Sequence, residues 1–272
     1  MVNRYRQLAF IIFFSSEIIS SGIVANPSKV ENQSPEKTLQ IIVENEVYLN
    51  DLCVVKPQRI IAILANPRTG RIVAIASRKS GKPLTPVNAY KDANSFEYNP
   101  GAVIDVLSQD TRIIAGLESS VTPLQMVMAY CAIANGGLQL KPSFGSDSKN
   151  RDFSHIRILS QKDAITLQNS LQQNVMGSDS CLLARVKGME VAGIAGQNKL
   201  NHWFGITSST TASFIGFFPA EHPEYVCLII VQDAHVLPKF NRGSWVAAPC
   251  FSSIAEKTNY LAKKTVRHFS IK

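Results

Sequence analysis

The sequence predicts an α/β fold in three layers, with an antiparallel sheet between helices on both of its faces. Apolar, strand-like runs fall into two groups, at 59–76 and 191–231, and turn residues connect neighbouring runs. Helical patterns occur near both ends of the chain and in a block between the two groups. The chain has 272 residues, 45% of them hydrophobic, which is enough to bury a sizeable core.

The first 25 residues have the pattern of an export signal. Arg4 and Arg6 precede two apolar runs within 8–25, and a small residue ends the second run. Each run is short for a membrane span, and Glu17 between them would be costly inside a bilayer. We therefore expect a cleaved signal peptide at 1–25, with an uncleaved N-terminal anchor as the alternative. Either way, the rest of the protein would be exported to the periplasm or to the outer face of the inner membrane.

A linker and a helix are predicted to come before the first strands. Residues 26–37 are polar and contain two prolines, which indicates a linker, and a single domain is predicted at 38–272. Near-helical spacing of apolar residues predicts a helix at 38–52. Residues 59–65 and 71–76 are predicted to form a buried hairpin, because the residues between them, NPRTG, favour a tight turn.

The middle of the chain is predicted to be mainly helical. Residues 77–101 are rich in Ser, Pro, Asn and Gly and are predicted to be irregular, whereas 103–115 is ambiguous. A capping box at Thr122–Gln125 predicts a helix that stops at two glycines, 136 and 137. A second capped helix is predicted to start at Ser160 and to end at Gly177.

The C-terminal part is predicted to contain three strands and a helix. Residues 191–197 and 212–219 are predicted to form a hairpin with a long polar loop at 198–211. Its first strand is expected to turn at Gly193 and Gly196, where glycine lets a ligand approach the backbone. A buried strand at 225–231 and an amphipathic helix at 247–264 follow.

Composition argues against several classes of function. The net charge is +8, but the basic residues are scattered, so a solvated basic surface is favoured over nucleic-acid binding. Attraction to an anionic envelope polymer or membrane surface is the alternative reading of this charge. The five cysteines show no paired spacing, so no disulfide framework is expected. The five histidines are far apart, and neither a metal nor a cofactor is expected.

Six phrases occur in one consistent order over about residues 36–265. They are LQ with VE in 39–44, NPRTGRIVAIAS at 66–77, YNPG at 98–101, VTPLQ at 121–125 with ANGG at 134–137, ASFIGFFP at 212–219, and RGS with AAPCF in 242–251. Together they resemble the transpeptidase domain of class B penicillin-binding proteins, and VTPLQ with ANGG is the most specific match. The resemblance implies that family's three-layer fold and its acyl-transfer chemistry, without the N-terminal pedestal domain.

The residues that this family uses for catalysis are replaced. Its SxxK motif, which supplies a serine nucleophile and a lysine base, corresponds here to Ala102-Val103-Ile104-Asp105. Its KTGT motif corresponds to Ile194-Ala195-Gly196-Gln197, which has lost the cation and both hydroxyl groups. The helical lobe that carries the SxN motif should lie between these two motifs, before the VTPLQ helix. Only about sixteen residues separate Asp105 from Thr122, so we expect this lobe to be truncated.

Other stretches of three or four residues match the motifs only by letter. Ser34–Lys37 and Ser146–Lys149 match SxxK, Ser148–Asn150 matches SxN and Lys79–Gly81 matches KSG. All of them lie in polar linkers or loops and in the wrong order, so a relocated site is disfavoured. In the predicted hairpin, Ser213 has no lysine or histidine at an activating spacing, and His202 and Trp203 fit a solvated loop tip.

The leading interpretation is an exported, non-catalytic relative of the transpeptidase domain, with a scaffold or regulatory role among cell-wall synthesis or division proteins. Its predicted contact surfaces are 105–121 and 198–211. A weak pocket for a peptidoglycan stem peptide could persist if backbone N–H groups at Ala102 and Gln197 form an anion-binding notch. The pocket residues would be Gly101, Ala102, Gly193, Gly196 and Gln197. The alternatives are an active serine D,D-transpeptidase or carboxypeptidase with a relocated nucleophile, and a decaying gene product with no retained role.

Overall fold

A computed structural model describes residues 34–54, 57–145, 156–201, 208–234 and 242–269. The predicted export signal, the Ser146–Asn150 motifs, His202 and Trp203 lie outside these residues. Within them, the chain forms a central antiparallel sheet with helices on both faces, which confirms the predicted three-layer fold.

The central sheet has six strands in the order β3-β2-β1-β8-β7-β6, and every neighbouring pair is antiparallel. Two short strands, β4 and β5, pair separately. The strands are β1 Arg59–Ala65, β2 Ile72–Lys79, β3 Lys82–Pro83, β4 Leu138–Gln139, β5 Ile156–Arg157, β6 Ala192–Asn201, β7 Ser208–Phe218 and β8 Tyr225–Gln232.

The helices fall before, between and after the two groups of strands. They are α1 Pro35–Cys53, α2 Pro86–Ser95, α3 Gln109–Ile114, α4 Pro123–Ala134, α5 Gln161–Gly177, α6 Gly243–Val246 and α7 Ala248–Phe269. Two 3-10 turns lie at Gly101–Val103 and Asp179–Ala184. In the part of the chain that the structure describes, no helix is both long and apolar enough to cross a bilayer.

The sheet separates two apolar cores, because successive strand residues point to opposite faces. In β1, Ile61 and Ile63 face a core made with α2, α4 and α5. Ile60 and Leu64 face a second core made with α1, α7 and the turn at Asp179–Ala184. The helices near the two ends of the described chain therefore cover one face, and the helices between the strand groups cover the other, as the sequence predicted.

Side-chain caps fix where several helices begin. Thr122 caps α4 by accepting a hydrogen bond from the Gln125 N–H at 3.3 Å, and the Gln125 side chain accepts one from the Thr122 N–H at 2.8 Å. This is the predicted capping box, which is therefore confirmed. Ser160 caps α5 in the same way by accepting from the Asp163 N–H at 3.1 Å.

Several predicted boundaries were wrong. Helix α1 begins at Pro35 with Ser34 as its cap, so the predicted linker at 26–37 overlaps the helix. The region 77–101, predicted to be irregular, contains β3 and α2. Thr85 caps α2, and the buried residues of this helix are two small alanines, so its apolar pattern is weak. The ambiguous segment at 103–115 contains α3. The last helix runs to Phe269 rather than stopping at 264.

The predicted hairpin at 191–219 forms, but its strands are longer than predicted. Residues 198–201 pair with 208–211, so both ends of the predicted loop belong to the sheet. Gly193 and Gly196 do not turn the chain. They lie inside β6, opposite Gly216 and Ser213 of β7. Hydrogen bonds between 198–201 and 208–211 satisfy the backbone polar groups of these strand ends, although their side chains show no apolar alternation.

Candidate functional site

The positions that resemble the SxxK and KTGT motifs meet at one edge of the sheet. The 3-10 turn at Gly101–Val103 packs against β6 so closely that a Cβ atom on Gly101 would lie 2.7 Å from the carbonyl oxygen of Gln197. A Cβ atom on Gly196 would lie 2.6 Å from the carbonyl oxygen of Pro100. The fold thus brings Ala102 and Gln197 to neighbouring elements, as the resemblance implied.

The position that resembles the family's nucleophile is exposed and carries an alanine. Ala102 lies on the turn with its methyl group at the surface, where the resemblance implies a serine hydroxyl that would attack the substrate. Three residues on, Asp105 is exposed and lies 3.4 Å from the Arg112 guanidinium of α3. A carboxylate paired with a guanidinium carries the wrong charge to replace the lysine ammonium.

The strand side of the site also lacks its polar groups. Ile194 and Ala195 are half-buried in β6, where the resemblance implies a lysine and a threonine. Ile194 packs against the core that contains Tyr130, and Ala195 packs against the opposite core. Gln197 is half-buried and pairs in register with Ala212 of β7. These side chains can support packing and amide hydrogen bonds but cannot supply a cation.

The glycines of the predicted pocket are used for internal packing. At Gly196, a Cβ atom would lie 2.6 Å from Val103 and 2.9 Å from the Ser213 hydroxyl. At Gly193 it would lie 2.7 Å from the Ile215 carbonyl oxygen. Protein atoms therefore occupy the space that the sequence interpretation gave to a ligand. A peptide site at these residues stays a prediction, limited to the exposed side of Ala102 and the half-buried Gln197.

The segment from Tyr98 to Val121, which contains the position that resembles SxxK, is short and closed at its base. Tyr98 and Val121 exchange two backbone hydrogen bonds of 3.0 Å, which hold its two ends together. Between them lie the 3-10 turn and the six-residue helix α3, whose Ile113 and Ile114 are exposed. This compact loop stands where the resemblance implies a helical lobe.

Comparison with known proteins identifies the family. The profile of the penicillin-binding protein transpeptidase domain matches residues 106–256, which is more than half of the chain. The chain belongs to this family. The match begins just after Asp105, so it does not include the SxxK position.

Relatives of this transpeptidase-family chain include stage V sporulation protein D from Bacillus subtilis, which is 25% identical over 200 residues. That alignment covers 64% of this chain and 30% of the relative, so the chain spans about a third of the relative's length.

Solved structures share the fold. The transpeptidase domain of the FtsI4 D,D-transpeptidase from Legionella pneumophila superposes with a TM-score of 0.64 at 19% identity, covering 85% of this chain and 98% of that one. The transpeptidase domain of penicillin-binding protein 3 from Burkholderia pseudomallei also gives a TM-score of 0.64, at 15% identity, covering 84% of this chain and 95% of that one.

The other candidate residues for a relocated site have structural roles where the structure describes them. The Ser34 hydroxyl caps α1 by accepting from the Lys37 N–H at 3.5 Å. Lys79–Gly81 forms the tight turn between β2 and β3, with positive φ angles of 49° at Ser80 and 75° at Gly81. Ser213 is only 1% exposed in β7, so a substrate cannot reach its hydroxyl.

Sequence reasoning missed two polar contacts that hold the site together. The Tyr130 hydroxyl of α4 donates to the Val103 carbonyl oxygen at 2.9 Å and so anchors the turn that carries Ala102. Burial raises the pKa of Tyr130, which keeps this donor protonated. The Asn174 side chain of α5 donates to the Gly193 carbonyl oxygen of β6 at 2.8 Å. A polar residue on an otherwise apolar helix face was the signal for each contact.

Two shallow cavities lie away from this site, beside Arg68. One is about 210 Å³ and is lined by Asn66, Arg68, Glu224 and Tyr225. The other is about 390 Å³ and lies between the end of α4, the start of α5 and the turn before β8. Both are open and rimmed by exposed charged side chains of mixed sign, which do not select a ligand class.

Proposed function

We propose that this protein is an exported, non-catalytic member of the penicillin-binding protein transpeptidase family. One observation carries the proposal: the exposed side chain at the nucleophile position, Ala102, is a methyl group. Asp105 and Ile194 support the same conclusion. Asp105 places a carboxylate where the family has its lysine base, and Ile194 places an apolar side chain where the family has the lysine of its strand motif. Without a nucleophile at this position, no acyl-enzyme can form there.

Penicillin labelling tests the catalytic part of the proposal. The full chain is incubated with fluorescent penicillin beside an active family member and then analysed by gel fluorescence and intact-mass spectrometry. We expect no adduct on this chain and a stoichiometric adduct on the active protein. An adduct on this chain would support the competing function, an active D,D-transpeptidase or carboxypeptidase, and peptide mapping would name its nucleophile.

We further propose that the protein acts as a scaffold or regulator by binding cell-wall synthesis or division proteins. The framework is retained: both cores are filled, α4 keeps its capping box, and Tyr130 anchors the turn. What differs is the face beside that turn, where α3 exposes Ile113 and Ile114, 68% and 53% accessible. Two adjacent exposed isoleucines on a short helix favour a protein contact on this face.

Cross-linking in the source cells tests the binding role. The tagged full chain is expected to recover cell-wall synthases or division proteins, and the double variant Ile113→Lys/Ile114→Lys to lose them. Ile165→Lys is the matched control, because Ile165 is also exposed, at 47%, but lies on α5. Equal recovery with all three chains would place the contact elsewhere, and recovery of no such protein would contradict the scaffold role.

A further inference from the structure

The outer side of β2 is paired with another strand over only a small part of its length. On the inner side, β1 pairs with β2 from residue 72 to residue 79. On the outer side, β3 pairs only with Arg78 and Lys79. Most residues of β2 are buried, and an unpaired backbone group in a buried strand is costly. The outward backbone groups before Arg78 therefore need partners other than a strand.

Backbone hydrogen bonds cover this outer side near the start of β2 and again near β3. The Ile72 N–H donates to the Ser143 carbonyl oxygen at 2.8 Å. Further along the strand, the Ser77 carbonyl oxygen accepts from the Leu84 N–H at 2.9 Å. Ile75 lies between these two contacts, in the middle of the outer side.

The side chain of Gln40, on α1, binds both backbone polar groups of Ile75. Its Oε1 atom accepts from the Ile75 N–H at 3.0 Å, and its Nε2 group donates to the Ile75 carbonyl oxygen at 2.7 Å. An antiparallel strand would offer Ile75 the same two partners, one acceptor and one donor. A single amide side chain thus takes the place of a strand at this point of the sheet.

Glu44 holds the amide of Gln40 in this orientation. The Nε2 group of Gln40 also donates to the Glu44 Oε1 atom at 2.7 Å. The two residues are four apart on α1, so their side chains lie on the same face of the helix. Because only the nitrogen of an amide can donate, a carboxylate beside Nε2 leaves the amide oxygen to accept from the Ile75 N–H. Gln40 and Glu44 belong to the LQ and VE phrase of the sequence, for which the candidate site has no use.

We propose that the Gln40 amide is a latch that holds α1 on the outer side of β2, and that Glu44 orients this latch. Ile75 is fully buried, so release of the amide would leave one donor and one acceptor without partners in a buried strand. Docking of α1 and closure of the outer side of β2 are therefore a single event. An apolar side chain at residue 40 could pack against β2 but could not couple the two.

Hydrogen exchange of the full chain tests the latch. Mass spectrometry follows the exchange, with electron-transfer fragmentation to isolate the Ile75 amide. Gln40→Met keeps the length of the side chain but removes both hydrogen-bonding groups. In this variant we expect the Ile75 amide to exchange at least about tenfold faster, after correction for any change in global stability measured by urea denaturation. Amides of β8, on the far side of β1, should keep the rates that global stability dictates.

Glu44→Ala tests the orienting role with little risk to the fold, because Glu44 is exposed. It leaves both bonds to Ile75 available and should accelerate exchange of that amide only about twofold to threefold. Gln168→Met is the matched control for Gln40→Met. Gln168 is also half-buried and donates to a backbone carbonyl oxygen, that of Ile133 at 2.6 Å, but it lies on α5 at the other face of the sheet. This variant should leave exchange at Ile75 unchanged.

Two outcomes would overturn the proposal. Unchanged exchange of the Ile75 amide in Gln40→Met would mean that packing of α1 alone protects the outer side of β2. Acceleration of the Ile75 amide and the β8 amides by the same factor would mean that Gln40 contributes to global stability and does not act as a local latch.

Discussion

At the scale of single residues, the candidate site carries side chains that differ from those that the family resemblance implies. Ala102 occupies an exposed turn held against β6, where a nucleophile would be well placed. Asp105 has a new partner in Arg112, 3.4 Å away. The reactive groups of a serine acyltransferase are side-chain atoms, so a fold can persist after they are lost.

Restoring the serine alone should not restore acylation. In Ala102→Ser, residue 105 remains a carboxylate paired with Arg112 and residue 194 remains an isoleucine, so no lysine activates the new hydroxyl and no cation at 194 binds the substrate carboxylate. We expect penicillin acylation at least about a thousandfold slower than in an active family member, measured by fluorescent labelling and intact mass. Labelling of this single variant at a comparable rate would show that the backbone and a solvent base suffice.

The candidate motif positions were located in the sequence from the phrases that flank them, and their assignment stays a prediction. The contacts that these residues make could not be predicted. Arg112 lies in a segment whose pattern favoured neither helix nor strand, so its contact with Asp105 had no signal. Tyr130 and Val103 are far apart in sequence, and their buried hydrogen bond depends on how α4 crosses the turn.

At the scale of elements, the contact between the 3-10 turn and β6 depends on the absence of a side chain at residue 196. Gly196→Ala would place a Cβ atom 2.6 Å from the Pro100 carbonyl oxygen and from the Val103 side chain, so the turn or the strand must shift. We expect a loss of about 2–3 kcal/mol in the free energy of unfolding, measured by urea denaturation.

The matched control is Gly177→Ala. Gly177 ends α5, its Cβ position is open, and its φ angle is not in the left-handed region. This variant should be unchanged or slightly more stable, because alanine favours the helix and restricts the unfolded chain. If Gly196→Ala is equally well tolerated, the turn does not rest on β6 in solution.

Helices that combine a cap with apolar periodicity were predicted, whereas helices α2 and α3, which have a cap but little periodicity, were missed. Helices α4 and α5 carry caps and apolar periodicity, and both were found. Helix α2 buries only Ala89 and Ala93, which give little periodic contrast. The hairpin extends through polar residues at 198–201 and 208–211, where backbone pairing rather than apolar alternation defines the strands.

At the scale of the whole molecule, α1 and α7 connect the two ends of the described chain through a partly buried ion pair. Glu46 has a side chain only 6% exposed, whereas that of Lys257 is 43% exposed. Removing the Lys257 ammonium should therefore lower the free energy of unfolding more than removing the Glu46 carboxylate, because only the carboxylate would be left buried without a partner.

We expect Lys257→Met to lower the free energy of unfolding by about 3 kcal/mol, since it leaves Glu46 charged and buried. Glu46→Gln should cost only about 1 kcal/mol, because the Lys257 ammonium can turn to water. Urea denaturation of both variants at neutral pH, with the double variant to complete the cycle, measures the difference. Equal costs would mean that Glu46 is more hydrated than the structure shows.

The overall layers were predictable because the strand groups and helices alternate in a fixed order along the sequence. The register between α1 and α7 was not, since these helices are separated by most of the chain and meet only after the sheet has formed.

The contact between the turn and β6 also bears on solubility. An outer strand of a sheet exposes backbone donors and acceptors that can recruit another chain. At one edge, β3 has only two residues, Lys82 and Pro83, and proline cannot extend a ladder. At the other edge, the 101–103 turn packs on β6 at Gly196 and Gln197. The 101–103 turn thus shields part of an aggregation-prone border, a structural role that does not depend on which side chain residue 102 carries.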